Sequence, residues 1–196
     1  MVPAYAIPTW VLLEGTSDVA AVQALRAARG ISEDDEPCVL VAMHGATNIR
    51  RTLEEVASLN PRPRVVGLSD EREAHFFVRA LALHGSALGL EGAPTLETLP
   101  QWGFQICRRD LEDELMRALG VDGTLAVLVD LELDATFEAF TRQLAWQGRP
   151  VMDQLRRFGT TTSGRKELLA GALAAALAVP DVPAPLAALL ESMPHP

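Results

Sequence analysis

Two hydrophobic rhythms run along this chain. Up to about residue 120, short continuous apolar runs alternate with stretches whose apolar positions recur at helical spacing; beyond it only the helical rhythm remains. Trp10 to Leu13, Cys38 to Met43, Arg64 to Ser69 and Gly103 to Cys107 read as strands. Ser17 to Arg29, Ile49 to Ser58, Glu71 to Leu83 and a segment from Arg108 to Gly120 read as the helices between and after them. Cys38 to Met43 has the unbroken apolar character of a strand buried on both faces. Such alternation predicts βαβ units and a parallel sheet. Past Gly120 the pattern predicts helices at Leu125 to Leu131, Ala135 to Trp146, Val151 to Phe158, Arg165 to Val179 and Ala184 to Ser192. The expected organisation is an α/β domain over 1–120 and a C-terminal α-helical extension over 121–196.

The polar residues that punctuate this pattern matter most where a strand ends. In open α/β sheets the ligand crevice lies beyond the carboxyl ends of the parallel strands. Glu14 and Asp18 follow the first strand, Asp70 the third, and Asp110 and Glu112 the fourth. Right-handed crossovers gather those three strand ends on one edge of the sheet. Crowded carboxylates repel one another unless cations sit between them. Hard divalent ions such as Mg²⁺ or Mn²⁺ take oxygen ligands of this kind, and two of them about 4 Å apart clamp the attacking and leaving oxygens in phosphodiester cleavage. The plainer reading is that these acids cap solvated helix ends, as Ser17 or Asp18 would at the start of the first helix.

Charge and composition narrow the field. The 196 residues carry a formal charge of -9, whereas a protein that holds nucleic acid unaided usually presents a basic face. The one local basic concentration is Arg149, Arg156, Arg157, Arg165 and Lys166, in the helical extension. Placed near the acidic crevice, it would supply phosphate contacts. Cys38 and Cys107 are the only cysteines, both in apolar runs, which favours reduced thiols in a cytoplasmic protein over a disulfide or zinc site. Pro3 and Pro8 interrupt the apolar start, so no signal peptide is expected. The longest apolar stretch, Leu168 to Val179, is short of the ~20 residues that a bilayer requires. Glu33-Asp34-Asp35-Glu36, closed by Pro37, reads as a solvated loop, and Ser163 as a helix N-cap. His44 reads as a turn residue, His75, His84 and His195 lack ligand spacing, and Trp102 and Trp146 read as core.

Glu14-Gly15-Thr16-Ser17-Asp18, Val65-Val66-Gly67-Leu68-Ser69-Asp70 and Asp110-Leu111-Glu112-Asp113-Glu114-Leu115 look like the TOPRIM module of the OLD (overcoming lysogenization defect) family of nucleases. Gly148-Arg149-Pro150, Gln154-Leu155-Arg156-Arg157-Phe158 and Gly164-Arg165-Lys166 resemble the helical part that follows it in short bacterial OLD-like proteins. The resemblance implies a Rossmann-like parallel sheet flanked by helices and a two-metal site, with Mg²⁺ or Mn²⁺, that nicks or cuts DNA. By position, Glu14 and Asp70 would hold one metal and Asp18, Asp110 and Glu112 the other. Ser69 would be their polar neighbour, and Lys166 would offset charge on the scissile phosphate. Where TOPRIM proteins usually have Asp-x-Asp, this chain reads Asp70-Glu71-Arg72. On a helix begun at Glu71, Glu71 and Glu73 point roughly 100° away from Arg72, so weak or single-metal occupancy is expected.

Full-length OLD proteins join this module to an ABC-type ATPase, but no Gly-x-x-x-x-Gly-Lys-Ser/Thr occurs in these residues. The chain would act alone, as a homodimer, or on a separate ATPase or other protein partner. Two further readings stay open: a degenerate TOPRIM module that binds nucleic acid or regulates a partner, and a nucleotidyl-transfer or primase-like enzyme.

Overall fold

The computed structural model describes residues 8–31, 38–160, 162 and 164–194. The acidic run from Glu33 to Glu36, Pro37, Ser163 and His195 lie outside the described residues. Four strands, β1 (Thr9–Leu13), β2 (Cys38–Ala42), β3 (Arg64–Asp70) and β4 (Phe104–Cys107), form one parallel sheet in the order β2-β1-β3-β4. Thr9 pairs with both Cys38 and Arg64, and Gly67 with Phe104. This order sets the carboxyl ends of β1, β3 and β4 side by side. It also makes β2 an edge strand. Val39 is 42% exposed, so the expectation that this strand is buried on both faces is corrected: its apolar run is covered incompletely because it has a neighbour on one side only.

Alternation along the central strands feeds two cores. Val11, Leu13, Val66, Leu68 and Cys107 face one, and Leu12, Val65 and Phe104 the other. Two helices, α2 (Ile49–Ser58) and α3 (Ala74–His84), cover the second face through Ile49, Leu53, Val56, Phe77 and Leu81. Gly67 is required there, because a Cβ would lie 2.8 Å from the Leu12 carbonyl and 2.9 Å from the Phe104 ring.

The first face is covered by α1 (Thr16–Ala28) and α8 (Ala184–Ser192), and α4 (Leu111–Asp130), α5 (Asp134–Thr141), α6 (Val151–Gly159) and α7 (Arg165–Ala175) pack into the same core. The helices expected on either side of Gly120 follow one another directly within α4 and are separated, as expected, at Gly120, whose φ of 71° and ψ of -178° lie outside helical space. Small residues let α7 approach α1 closely, with Gly171 against Ala20. The α8 helix rests on β3 and β4. Residues beyond 120 thus share one continuous core with the sheet. Two expected helices end early, at Thr141 and Ala175 instead of Trp146 and Val179. Among the described residues no helix is long and apolar enough to cross a membrane.

Candidate active site

Each acidic residue is positioned by the turn between its strand and the next helix. After β1, Gly15 is extended, with φ -150°, and its N–H donates to Asp18 Oδ2 at 3.1 Å. Asp18 therefore caps α1 as the plainer reading holds, yet it is also buried. Glu14 reaches across to β3, where its Oε1 accepts from the Asp70 N–H at 2.8 Å. After β4, Asp110 N-caps α4 by accepting from the Asp113 N–H at 2.8 Å, and Glu112 is buried in the first turn. From the far end of the chain, Lys166 in the first turn of α7 brings its Nζ to 3.4 Å from Glu112 Oε1. The close α1–α7 packing thus delivers a cation to acids that precede it by more than fifty residues in sequence.

The electrostatics tie these groups into one cluster. Burial pushes Asp70 up from 3.8 to about 7, and the charges of Asp18, Asp110 and Glu112 add to the rise while Lys166 opposes it. Burial, a hydrogen bond with Glu73 and the charges of Asp70 and Glu73 lift Glu14 to about 9, against the Asp70 N–H, which favours the carboxylate. Burial also raises Asp18 and Glu112, with Lys166 pulling both back. Burial works against the charge of Lys166, but Glu112, Asp18 and Asp70 outweigh it and hold the ammonium above its ordinary range.

Glu73, which the sequence reading sets aside as directed away, belongs to the cluster. Oxygen atoms of Glu14, Asp70 and Glu73 lie within 4.8 Å of one another. The segment Asp70-Glu71-Arg72-Glu73 is a turn, closed by the Glu73 N–H on the Asp70 carbonyl at 3.0 Å, and α3 begins only at Ala74. A turn returns its fourth residue to its first, so the expected helical geometry, with Glu73 directed away, is corrected. Arg72 is exposed, and Glu71 is used elsewhere, accepting from the Arg109 N–H at 3.2 Å. The signal available in the sequence was the spacing of two acids three residues apart immediately after a strand.

The remaining candidates are placed as follows. Ser69 Oγ is buried one residue before Asp70 and has no hydrogen-bond partner among the described residues. Arg149, Arg156 and Arg157 line a cavity that Asp110 also lines. Arg156 pairs with Asp113 and, at 3.0 Å, with Asp153. Arg165 instead lies 4.1 Å from the centre of the Phe158 ring and donates to the Phe158 carbonyl at 3.1 Å. Cys107 is a buried free thiol, pushed well up by burial, and Cys38 is half-buried. His44 is an exposed turn residue with φ 58°.

The donor set suits a hard cation. Carboxylates dominate, they crowd on one another, and an orphaned serine hydroxyl adjoins them. Glu14, Asp70 and Glu73 form one group of oxygens. The charges of Asp18, Asp110 and Glu112 act on Asp70 from beside it.

No family model matches the chain, and no curated protein matches it. Among solved structures, the C-terminal region of the Xanthomonas campestris pv. campestris OLD protein superposes with a TM-score of 0.65 at 18% identity, over 97% of this chain and 95% of that one. A second structure of the same region gives a TM-score of 0.67 at 18% identity, over 94% and 91%. The C-terminal region of the Burkholderia pseudomallei OLD protein gives 0.63 at 17% identity, over 93% and 95%. This chain, a four-stranded parallel sheet with helices on both faces in a TOPRIM-like arrangement, has the fold of the C-terminal region of OLD proteins.

Proposed function

We propose that the chain is a divalent-metal-dependent nuclease that hydrolyses phosphodiester bonds in DNA. The observation that carries this reading is the convergence of six carboxylates and Lys166 where β1, β3 and β4 end together. Crowded carboxylates of this kind are unfavourable without cations between them. Glu14, Asp70 and Glu73 would hold one Mg²⁺ or Mn²⁺, and Asp18, Asp110 and Glu112 the other. Bound there, such ions would supply activation of water and neutralisation of charge on the leaving oxygen. The protein's own part is to hold the carboxylates in register through the Gly15–Asp18, Glu14–Asp70 and Asp110–Asp113 hydrogen bonds. Lys166, held charged by Glu112 and Asp18, offsets negative charge on the phosphoryl oxygens as they become more anionic.

The test is incubation of supercoiled plasmid with the protein in Mg²⁺, Mn²⁺ or EDTA. Nicked circles or linear product with metal and none in EDTA is the expected outcome. Intact plasmid under all three conditions, together with an unchanged melting temperature in Mn²⁺, would refute the reading and leave a binding or regulatory module.

A further inference from the structure

Beside the acids lies a cavity of about 600 Å³ to which the cluster contributes Asp110 alone, a size that suits a small ligand. Its walls include Arg109, Asp110, Trp146, Arg149, Arg156 and Arg157. We propose that this cavity is a subsite for an unpaired nucleotide next to the scissile phosphate, with Trp146 taking the base and Arg149 and Arg157 the backbone phosphates. The inference rests on the nuclease reading for its register, because Asp110 is shared between cavity and cluster.

Three observations carry it. First, the arginines are in different states. Arg156 is held by Asp113 and Asp153, whereas Arg109, Arg149 and Arg157 are exposed and form no ion pair among the described residues. Three unpaired guanidiniums on one cavity, in a chain of charge -9, form a local anion site where the overall charge opposes one. Second, Arg109 has a φ of 72°, in the left-handed region where glycine would be accommodated without strain. An arginine in that conformation, at the cavity wall and one residue before Asp110, points to use of its side chain. Third, Trp146 is half-buried: its ring stacks on Phe140 at 5.3 Å with an interplanar angle of 28°, and it also lines the cavity. Phe140 is itself seated against Phe158 at 5.6 Å. The indole is thus a platform fixed from behind.

An aromatic platform can take only a base whose face is free. In a duplex both faces of each internal base are covered by its neighbours, while a single strand, a frayed end or a flap offers one. The cavity therefore selects unpaired DNA at the position flanking the cut. Trp146 packs on the core, as the sequence reading expects, and it lines the cavity as well.

The test uses fluorescence anisotropy in Ca²⁺ with a labelled oligothymidylate and a labelled duplex of the same length. The single strand is expected to bind at least about tenfold more tightly. Trp146→Leu should remove about tenfold from the single strand and leave duplex binding within about twofold, a selectivity that a merely structural role would not alter. Arg149→Ala with Arg157→Ala, both at exposed positions, should lower affinity and flatten the salt dependence by about one unit of slope per arginine. Should Trp146→Leu fail to fold by circular dichroism, the arginine pair decides the matter alone. Equal losses on both DNAs with Trp146→Leu, tighter binding of duplex, or an unchanged salt slope in the arginine variant would overturn the subsite. Plasmid nicking separates the two readings. Selective binding without nicking leaves the subsite and removes the nuclease; nicking without selective binding does the reverse.

Discussion

Replacing Asp70 by asparagine is expected to stabilise the metal-free protein, and to do so only above acidic pH. Asp70 stands among Asp18, Asp110 and Glu112, with Lys166 as the opposing charge, and is raised from 3.8 to about 7. A carboxyl so raised keeps its proton in the folded protein after the unfolded chain has released it. Its contribution to stability is full below 3.8 and is lost as pH rises through about 7. At ~1.36 kcal/mol per pH unit the whole rise costs the folded state ~4 kcal/mol in alkali. Asp70 is only half-buried, and solvent screening reduces this to ~2 kcal/mol. Asparagine keeps the shape and removes the charge. For a chain of this length the gain is a melting temperature higher by ~4–8 °C near pH 8 and unchanged near pH 4. Calorimetric melts in EDTA across that range measure it. A gain of the same size at acid pH, or a loss at alkaline pH, would refute the crowding argument. Saturating Mn²⁺ should shrink the difference, because the ion stabilises the wild type by mass action.

The other predictions concern single groups. Asp110→Asn should abolish metal-dependent nicking while keeping the cap on α4, whereas Asp110→Ala should also cost ~1 kcal/mol in urea denaturation; full nicking by the asparagine variant would remove Asp110 from the site. Lys166→Ala should cut turnover by about tenfold or more with Mn²⁺ affinity nearly intact, and an equal loss of affinity by calorimetric titration would assign it to structure alone. Glu73→Gln should weaken Mn²⁺ binding, while Arg72→Asp, at an exposed position, should leave it unchanged; the opposite ranking would return the third ligand to position 72. Gly120→Ala should cost ~1–3 kcal/mol by urea denaturation, since φ 71° with ψ -178° is glycine space and a Cβ there meets nothing within 4 Å; a loss below ~0.5 kcal/mol would show that the break relaxes.

The strands were legible because an apolar run of four to seven residues bounded by turn signals has few other uses. Glu14, Asp18, Asp70, Asp110 and Glu112 followed from those strand ends. The edge position of β2 was not legible, since a run such as Cys38 to Ala42 reads alike whether one neighbour or two will cover it. Glu73 was hidden by the similarity of a turn to the start of a helix: both tolerate Glu71 and Arg72, and only the closing bond to Asp70 separates them. The partners of Arg156 and Arg165 were likewise beyond reach. Asp113 and Phe158 are chosen by the packing of α4, α6 and α7, which no local pattern records.

The contact between α1 and α7 has a consequence for the order of synthesis. Every acid of the cluster is translated before Lys166, and α8, which covers β3 and β4, follows later still. A nascent chain that has emerged only to α4 carries mutually repelling carboxylates with neither their lysine nor a closed floor beneath them. Assembly of the site is thereby coupled to synthesis of α7 and α8, so that whatever chemistry the acids support waits until those helices have been made.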